Sequence, residues 1–431
     1  MKRLLILTLL FVTVLGLSAC KNEDEGTIRF AIWAGGKELE EFQAIVDVVN
    51  EEADGEFTIV VESIPDNYTQ KLSTQVAGGQ LADLVWLSQD NIYAFAEMGA
   101  LYDITDLNAA TETTDLEASN FYANILQTAK YDDDLYGLPW IANPVITYFN
   151  QKIFTDCGVD LPSATGGVLG TDWDWAEFKD IALEFPNGDV NHPNVGTGIC
   201  TADTYGWITG GWPPVEMYLW AEGGDVLDSN FESAINSTES IAGMQLAKDL
   251  LMSGITPDVS TVWDQGFSES WLNGNIAMIM AGAADDFELR GLTGFTVDDF
   301  GYGLVPEGVD GKHHSFNWTA STVMSASTSD PELAYKAMEA MTLKFFEWKV
   351  TPPIKNGIDF IDTMLDGSKI ASKPTIIEAL KDARGGNYHT AYNEIDVWGF
   401  LFEPILMDPA SFDPVSVAQT LEDRINTILS R

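Results

Sequence analysis

The sequence predicts an α/β protein of two domains behind a short secretory leader. β-rich stretches and helical stretches alternate from Thr27 onward, the mark of βαβ units and a mainly parallel sheet. Apolar residues make up 45% of the chain and charged residues 20%, enough to build a large core. The 431 residues exceed what one core normally covers, so two domains are the default.

The leader comes first. Met1-Lys2-Arg3 precedes an apolar run from Leu4 to Leu17, the charge-then-apolar layout of a signal peptide. The run is too short for a comfortable bilayer span, and no later segment reads as a membrane helix. Leu17-Ser18-Ala19-Cys20 resembles a bacterial lipobox. That resemblance implies a signal peptide over 1–19, cleavage before Cys20, a lipid on the Cys20 sulfur and a tether over 20–26. The mature protein is then extracytoplasmic and held to the membrane through its lipid anchor only.

Thr27 to Trp33 reads as a buried strand. Leu39, Phe42, Ile45, Val46 and Val49 follow at helical spacing, with Glu38, Glu40 and Glu41 near the helix start, where acids are favoured. Phe57 to Glu62 is a second strand, Asn67 to Val76 a helix stopped by Gly78-Gly79, and Leu84 to Leu87 a third strand. A short helix with Ile92 and Phe95 ends at Gly99. Val145 to Phe149 is a strand. Asp174 is placed to cap a helix, with Glu177 as its capping-box partner. Helices are expected at about Glu239 to Met252, Pro331 to Phe346, Pro374 to Arg384 and Val415 to Leu429. Strands are expected at Asn275 to Met280, Tyr302 to Val305 and Thr322 to Met324.

Charge excludes some partners. There are 66 acids against 22 bases, for a net charge of −44, which repels nucleic acid and anionic membrane. The acids are dispersed, not gathered into a tail. Cys157 and Cys200 are candidates for a disulfide outside the membrane. His192, His313, His314 and His389 show no metal-ligand spacing, so no metal or cofactor is expected. His313-His314 is expected in a solvated turn.

Several stretches together resemble the extracellular solute-binding proteins of the sugar-binding type (family 1), the receptors of ABC importers. They are Ile28 to Trp33, Gly78-Gly79-Gln80-Leu81-Ala82-Asp83-Leu84-Val85, Phe95 to Leu101, Tyr136-Gly137-Leu138-Pro139, Tyr148 to Phe154, Trp173 to Phe178, and Phe267 to Met280. The resemblance implies a two-lobed periplasmic-binding-protein fold, each lobe a mainly parallel sheet flanked by helices, joined by hinge strands. Lobe one is expected at 27–142 and 281–327, lobe two at 143–280 and 328–431. It also implies permease subunits of an ABC transporter as partners, and a monomer.

A pyranose offers apolar C–H faces and a rim of hydroxyls, so a sugar site combines flat rings with acids and amides. Chain order places Trp33, Trp140, Trp212, Trp318 and Trp398 near the cleft. Asp90 matches a carboxylate that binds sugar hydroxyls in related receptors, and a helix N-cap is its alternative role. Gln89, Asn143, Asp285 and Asn317 complete the polar candidates. Trp86, Trp173, Trp175, Trp207, Trp271 and Trp348 read as packing residues, and Asp83 as fixing its turn. One departure stands out: Met280 to Asp285 carries no aromatic where sugar receptors often have one. A receptor for a polyamine, metal or peptide is the alternative reading. An enzyme is disfavoured, since no Gly-x-Ser-x-Gly, His-Glu-x-x-His or phosphate loop occurs, and carboxylate pairs for a glycosidase arise by chance among so many acids.

Overall fold

The computed structural model describes residues 26–209, 214–258, 262, 267–285, 294–348, 351–357, 359–360, 371–389 and 392–431. Its strands, in chain order, are β1 (Thr27–Ile32), β2 (Thr58–Ser63), β3 (Leu84–Ser88), the small pair β4 (Lys130–Tyr131) and β5 (Asp134–Leu135), β6 (Gly137–Pro139) and β7 (Asn143–Asn150). They continue as β8 (Ala164–Thr165), β9 (Val168–Leu169), β10 (Tyr205–Ile208), β11 (Ile276–Gly282), β12 (Phe300–Gly303), β13 (Asn317–Trp318) and β14 (Ala320–Met324). Two larger sheets result, one ordered β2-β1-β3-β14-β6 and the other β10-β11-β7-β12-β9-β8, with β13 beside β7.

The residue pattern explains both. In β7, Val145 and Phe149 enter one core cluster while Ile146 and Tyr148 enter another. In β11, Met278 and Met280 separate from Ile279 and Ala281 in the same way. Side chains alternate along a strand, so a run apolar at every position is buried on both faces. All eight residues of β7 are buried. The first lobe packs Phe30, Phe42, Trp86 and Phe345 into one core.

Both sheets are mixed, where mainly parallel ones were expected. β1 pairs in parallel with β2 and β3. β14 runs antiparallel to β3 and β6, and β7 antiparallel to β11 and β12. The antiparallel members are those through which the chain passes between lobes. They reach a sheet without the crossover helix that parallel pairing requires.

The crossings also differ from those expected. β6 lies in the first sheet and β7 in the second. The chain does not return at 281, because β11, β12 and β13 all belong to the second sheet; it re-enters the first at Ala320. The helix Pro331–Phe346, expected in lobe two, packs on β14 and on the helix Gly36–Glu52 in lobe one. Phe345 stands 5.7 Å from Phe42 and 5.6 Å from Trp86, which holds it there. Ile354 still belongs to the first core, while Ile376 belongs to the second lobe. Grouped by sheet and packing, the described residues of 27–141 and 319–357 go with lobe one, and those of 142–318 and 371–431 with lobe two.

Local signals place several elements. Asp174 accepts from the Ala176 and Glu177 N–H groups and starts the helix Trp175–Leu183. Asp330 accepts from Leu333 N ahead of Pro331, and Asp413 from Val415 N ahead of the helix Pro414–Leu429. Asp83 fixes its turn, accepting from Arg29 N at 3.0 Å and from Thr328 Oγ1 at 2.9 Å. Cys157 and Cys200 are disulfide-bonded, with Cα atoms 5.1 Å apart. His313 departs from the solvated turn expected for it: the ring is buried, and its Nδ1 bonds the Val305 carbonyl at 2.6 Å.

Candidate functional site

The lobes meet where β3 ends. Ligands of open α/β sheets sit beyond the carboxyl ends of the strands, and the chain there turns into the helix Gln89–Glu97. Facing it is the strip Ala383-Arg384-Gly385-Gly386-Asn387-Tyr388 of lobe two. Gln89 Nε2 donates to Tyr388 Oη at 3.0 Å. A Cβ on Gly385 would lie 3.1 Å from Gln89 Oε1, so this glycine lets the strip approach the other lobe. Asn124 Nδ2 donates to the Ala383 carbonyl. The Tyr93 ring lies 5.2 Å from Phe231 and stacks at 5.8 Å on His389, both from lobe two.

These contacts enclose a cavity of about 420 Å³. Lobe one contributes Gln89, Tyr93, Asn124, Gln127, Thr128, Lys130 and Asp132. Lobe two contributes Ser229, Phe231 and the strip from Arg384 to Tyr388. Arg384 is held by Asp225, and its guanidinium lies 4.2 Å over the Trp220 ring. Asn387 donates to the Leu227 carbonyl at 2.8 Å. The wall thus offers rings, amides and hydroxyls, and its arginine is already paired with an acid.

A second cavity, of about 270 Å³, lies in lobe two among Pro214, Glu216, Tyr392, Asp396, Trp398 and Phe402. Tyr392 Oη donates to Glu216 Oε1 at 2.7 Å. Burial pushes the Glu216 carboxyl above its ordinary range, against the opposing hydrogen bond from Tyr392. Burial, and then the neighbouring Glu216 carboxylate, push the Tyr388 and Tyr392 hydroxyls up. The Tyr388 and Tyr392 rings touch edge to face at 4.9 Å, so one pair of phenols separates the two cavities.

The residues singled out in the sequence fall into four groups. Gln89 lines the first cavity, with its Oε1 buried and accepting no hydrogen bond among the described residues. Trp398 lines the second and is 38% exposed. Trp33, Trp140 and Trp318 gather instead at the first lobe's edge. Trp33 is half-buried, 4.9 Å from Trp86 and 6.2 Å from Trp318. Trp140, expected at the ligand, is 4% exposed and stacks on Trp86 at 4.6 Å, with Phe345 at 5.4 Å. That packing places it in the core rather than on a cavity wall.

Of the polar candidates, Asn143 and Asn317 lie beside the crossings, while Asp285 and Asp90 do not. Asn143 is buried, and its Oδ1 accepts from Ala284 N at 2.7 Å. Asp285 accepts from Gly282 N at 2.8 Å and closes the turn after β11. Asn317 is 1% exposed, with neither side-chain polar atom hydrogen-bonded among the described residues. Asp90 is half-buried in the first turn of its helix, where a negative charge is favourable, and accepts from Asn91 Nδ2 at 3.0 Å. Trp212 and Cys20 lie outside the described residues. The residues that sequence reasoning missed are Tyr93, Phe231, Tyr392 and the Arg384–Tyr388 strip. The paired Gly385-Gly386 was their visible signal, since such a pair permits close approach of backbone.

Comparison with known proteins fits this architecture. Residues 44–344, more than two thirds of the chain, match the model of the bacterial extracellular solute-binding proteins. The chain belongs to that family. An ABC substrate-binding protein of Listeria monocytogenes in complex with cycloalternan aligns with a TM-score of 0.74 at 20% identity, over 94% of this chain and 99% of the other. The sugar-binding protein MalE of Xanthomonas citri aligns with a TM-score of 0.74 at 17% identity, over 94% and 97%. An uncharacterised lipoprotein of Streptomyces antibioticus is 25% identical over 117 residues, 27% of this chain and 24% of that protein. The fold is that of the two-lobed binding proteins, and the family is one of extracellular receptors for solutes.

Proposed function

We propose that this protein is the lipid-anchored, extracytoplasmic carbohydrate receptor of an ABC importer, and that it closes its lobes on a neutral oligosaccharide. The observation that carries the reading is the interlobe cavity, walled by the rings Tyr93, Phe231 and Tyr388 and edged by the amides Gln89, Asn124, Gln127 and Asn387. Flat rings suit the C–H faces of a pyranose, and amides can both donate to and accept from hydroxyls. The Listeria neighbour, in complex with cycloalternan, and the Xanthomonas sugar-binding protein agree in kind. Delivery to permease subunits follows the family's role, and a monomer suffices, since both walls come from one chain. Gln89 on the interlobe wall is a proposed ligand contact, with Asp90 next to it in the chain, and Trp398 is a proposed contact at the second cavity.

A cation receptor is the second class to weigh, because the chain is so acidic. Among the described residues no cluster of three or more His, Cys, Asp or Glu is placed to hold a metal ion, and the cavity includes Lys130 and Arg384. Titration calorimetry and melting with neutral oligosaccharides, spermidine and divalent metals test the reading. A sugar that binds and raises the melting temperature is the expected result. Silence across the sugars with a response to spermidine or a metal would overturn it.

A further inference from the structure

Phe231 sits in a backbone conformation that an aromatic residue seldom takes. Six non-glycine residues have positive φ among those described: Asp54, Asn67, Asp132, Asn187, Phe231 and Asp396. Five are Asp or Asn, whose short polar side chains tolerate the left-handed region. Phe231, at φ 60°, has no such compensation of its own. Strain of this kind persists only where the surroundings over-determine it, and it gathers at ligand clamps and switches.

The surroundings here are explicit. The Asp228 carboxylate accepts from Asn230 N at 2.8 Å and from Glu232 N at 2.9 Å. The Phe231 N–H donates to the Asp228 carbonyl at 3.0 Å, and Asp228 N to the Glu232 carbonyl at 2.9 Å. The loop 228–232 is thereby locked as a rigid prong. At its tip the Phe231 ring crosses to lobe one and meets Tyr93 at 5.2 Å, with His389 5.6 Å away. Tyr93 is backed in turn by Tyr131 at 4.6 Å. The same ring forms part of the wall of the 420 Å³ cavity.

We propose that Phe231 is the clasp of the closed form: a ring on a prestrained prong whose docking against Tyr93 sets the balance between open and closed lobes. The inference rests on the reading of the protein as a receptor that closes on its ligand. It adds that part of the closing free energy is supplied by the protein's own ring pair and not by the solute. A ligand then needs less differential affinity for the closed state to shift the balance.

The test measures lobe separation directly. Nitroxide labels on Glu40→Cys in lobe one and Asp180→Cys in lobe two, both exposed, report the interlobe distance by pulsed electron resonance in the full-length protein. Maltotriose and cycloalternan serve as probes, and the distance is also read without sugar. In Phe231→Ala the closed-to-open ratio should fall about tenfold, the scale of one desolvated ring contact. Phe231→Tyr should restore it. Phe231→Gly, which relieves the backbone but removes the ring, should open the lobes like the alanine variant while melting no lower than it. An Ala variant whose sugar-free distance distribution matches the wild type would overturn the clasp, since a change confined to the sugar-bound samples reports only the ring's place on the cavity wall. Failure of the receptor reading looks different: no sugar shifts the distance in the wild type, whatever the Phe231 variants do.

Discussion

Residues 186–204 run between the helix Trp175–Leu183 and β10 with no regular element. So long an irregular stretch is uncommon in a packed domain unless it is tied down. Three ties are visible: the Cys157–Cys200 bridge, the Asp156 carboxylate accepting from Ile199 N at 3.0 Å, and Asn194 Nδ2 donating to the Cys157 carbonyl. Replacing both cysteines with alanine removes only the covalent tie. The bridge spans 43 residues, for which the loop-closure relation gives about 4 kcal/mol at 25 °C. That term belongs to the unfolded chain, so the native near-ultraviolet spectrum of the double variant should match the wild type while its urea midpoint falls. Both sulfurs belong to buried residues, so reductant should act only once the lobe unfolds. Urea titration of the Cys157→Ala/Cys200→Ala protein is the assay. A loss under about 1 kcal/mol would refute the reasoning. So would two titratable thiols in unfolded, unreduced Cys20→Ser protein.

Other outcomes follow from the packing and the buried acid. Trp140→Ala should cost about 3–5 kcal/mol of stability, because the ring is closed in between Trp86 and Phe345; a urea midpoint within error of the wild type would show that the ring is not core. Glu216 is held protonated more firmly in the folded protein than in the unfolded chain, so its contribution to stability falls as pH rises from the ordinary glutamate value through the raised one. Glu216→Gln should flatten that decline in melting temperature across the same window, and an unchanged pH profile would contradict the burial argument. Cys20→Ser should release the protein from membranes, read by fractionation; continued sedimentation with membranes would overturn the lipid anchor.

Signals confined to a few neighbouring residues were legible in the sequence. Asp174 stands two and three residues before exposed N–H groups, where an acid caps, and the helix Pro331–Phe346 opens on a proline that fits the first turn. Trp86, Trp173, Trp207 and Trp271 were read as packing residues and are all buried. Which lobe a segment joins was not legible, because that depends on partners far along the chain. β12 pairs with β7, about 150 residues earlier, and nothing in Phe300-Gly301-Tyr302-Gly303 names that partner. The cavity wall shows the same limit. Gln89 sits at a strand end, where topology alone draws attention. Phe231 lies in an ordinary-looking Asp-Ser-Asn-Phe turn, and Tyr93 on a surface helix, so only the folded chain reveals that they meet. Trp140 shows it too: its place before a crossing draws attention to the cleft, while the folded chain buries it against Trp86.

Indoles stand beside two of the passages between the lobes. Trp140 precedes the first and Trp318 flanks the second; these two and Trp348 of lobe one stand within 6.4 Å of either Trp86 or Trp33. Chromophores so near and so inclined to one another exchange excitation and couple their transitions. Of these pairs Trp33 with Trp318 joins the two lobes, so a small rotation at the pivot alters that pair's separation and inclination, and with them emission anisotropy and the exciton bands of the native protein. Nature has in effect wired a protractor into the joint, and it can be read without attaching any dye.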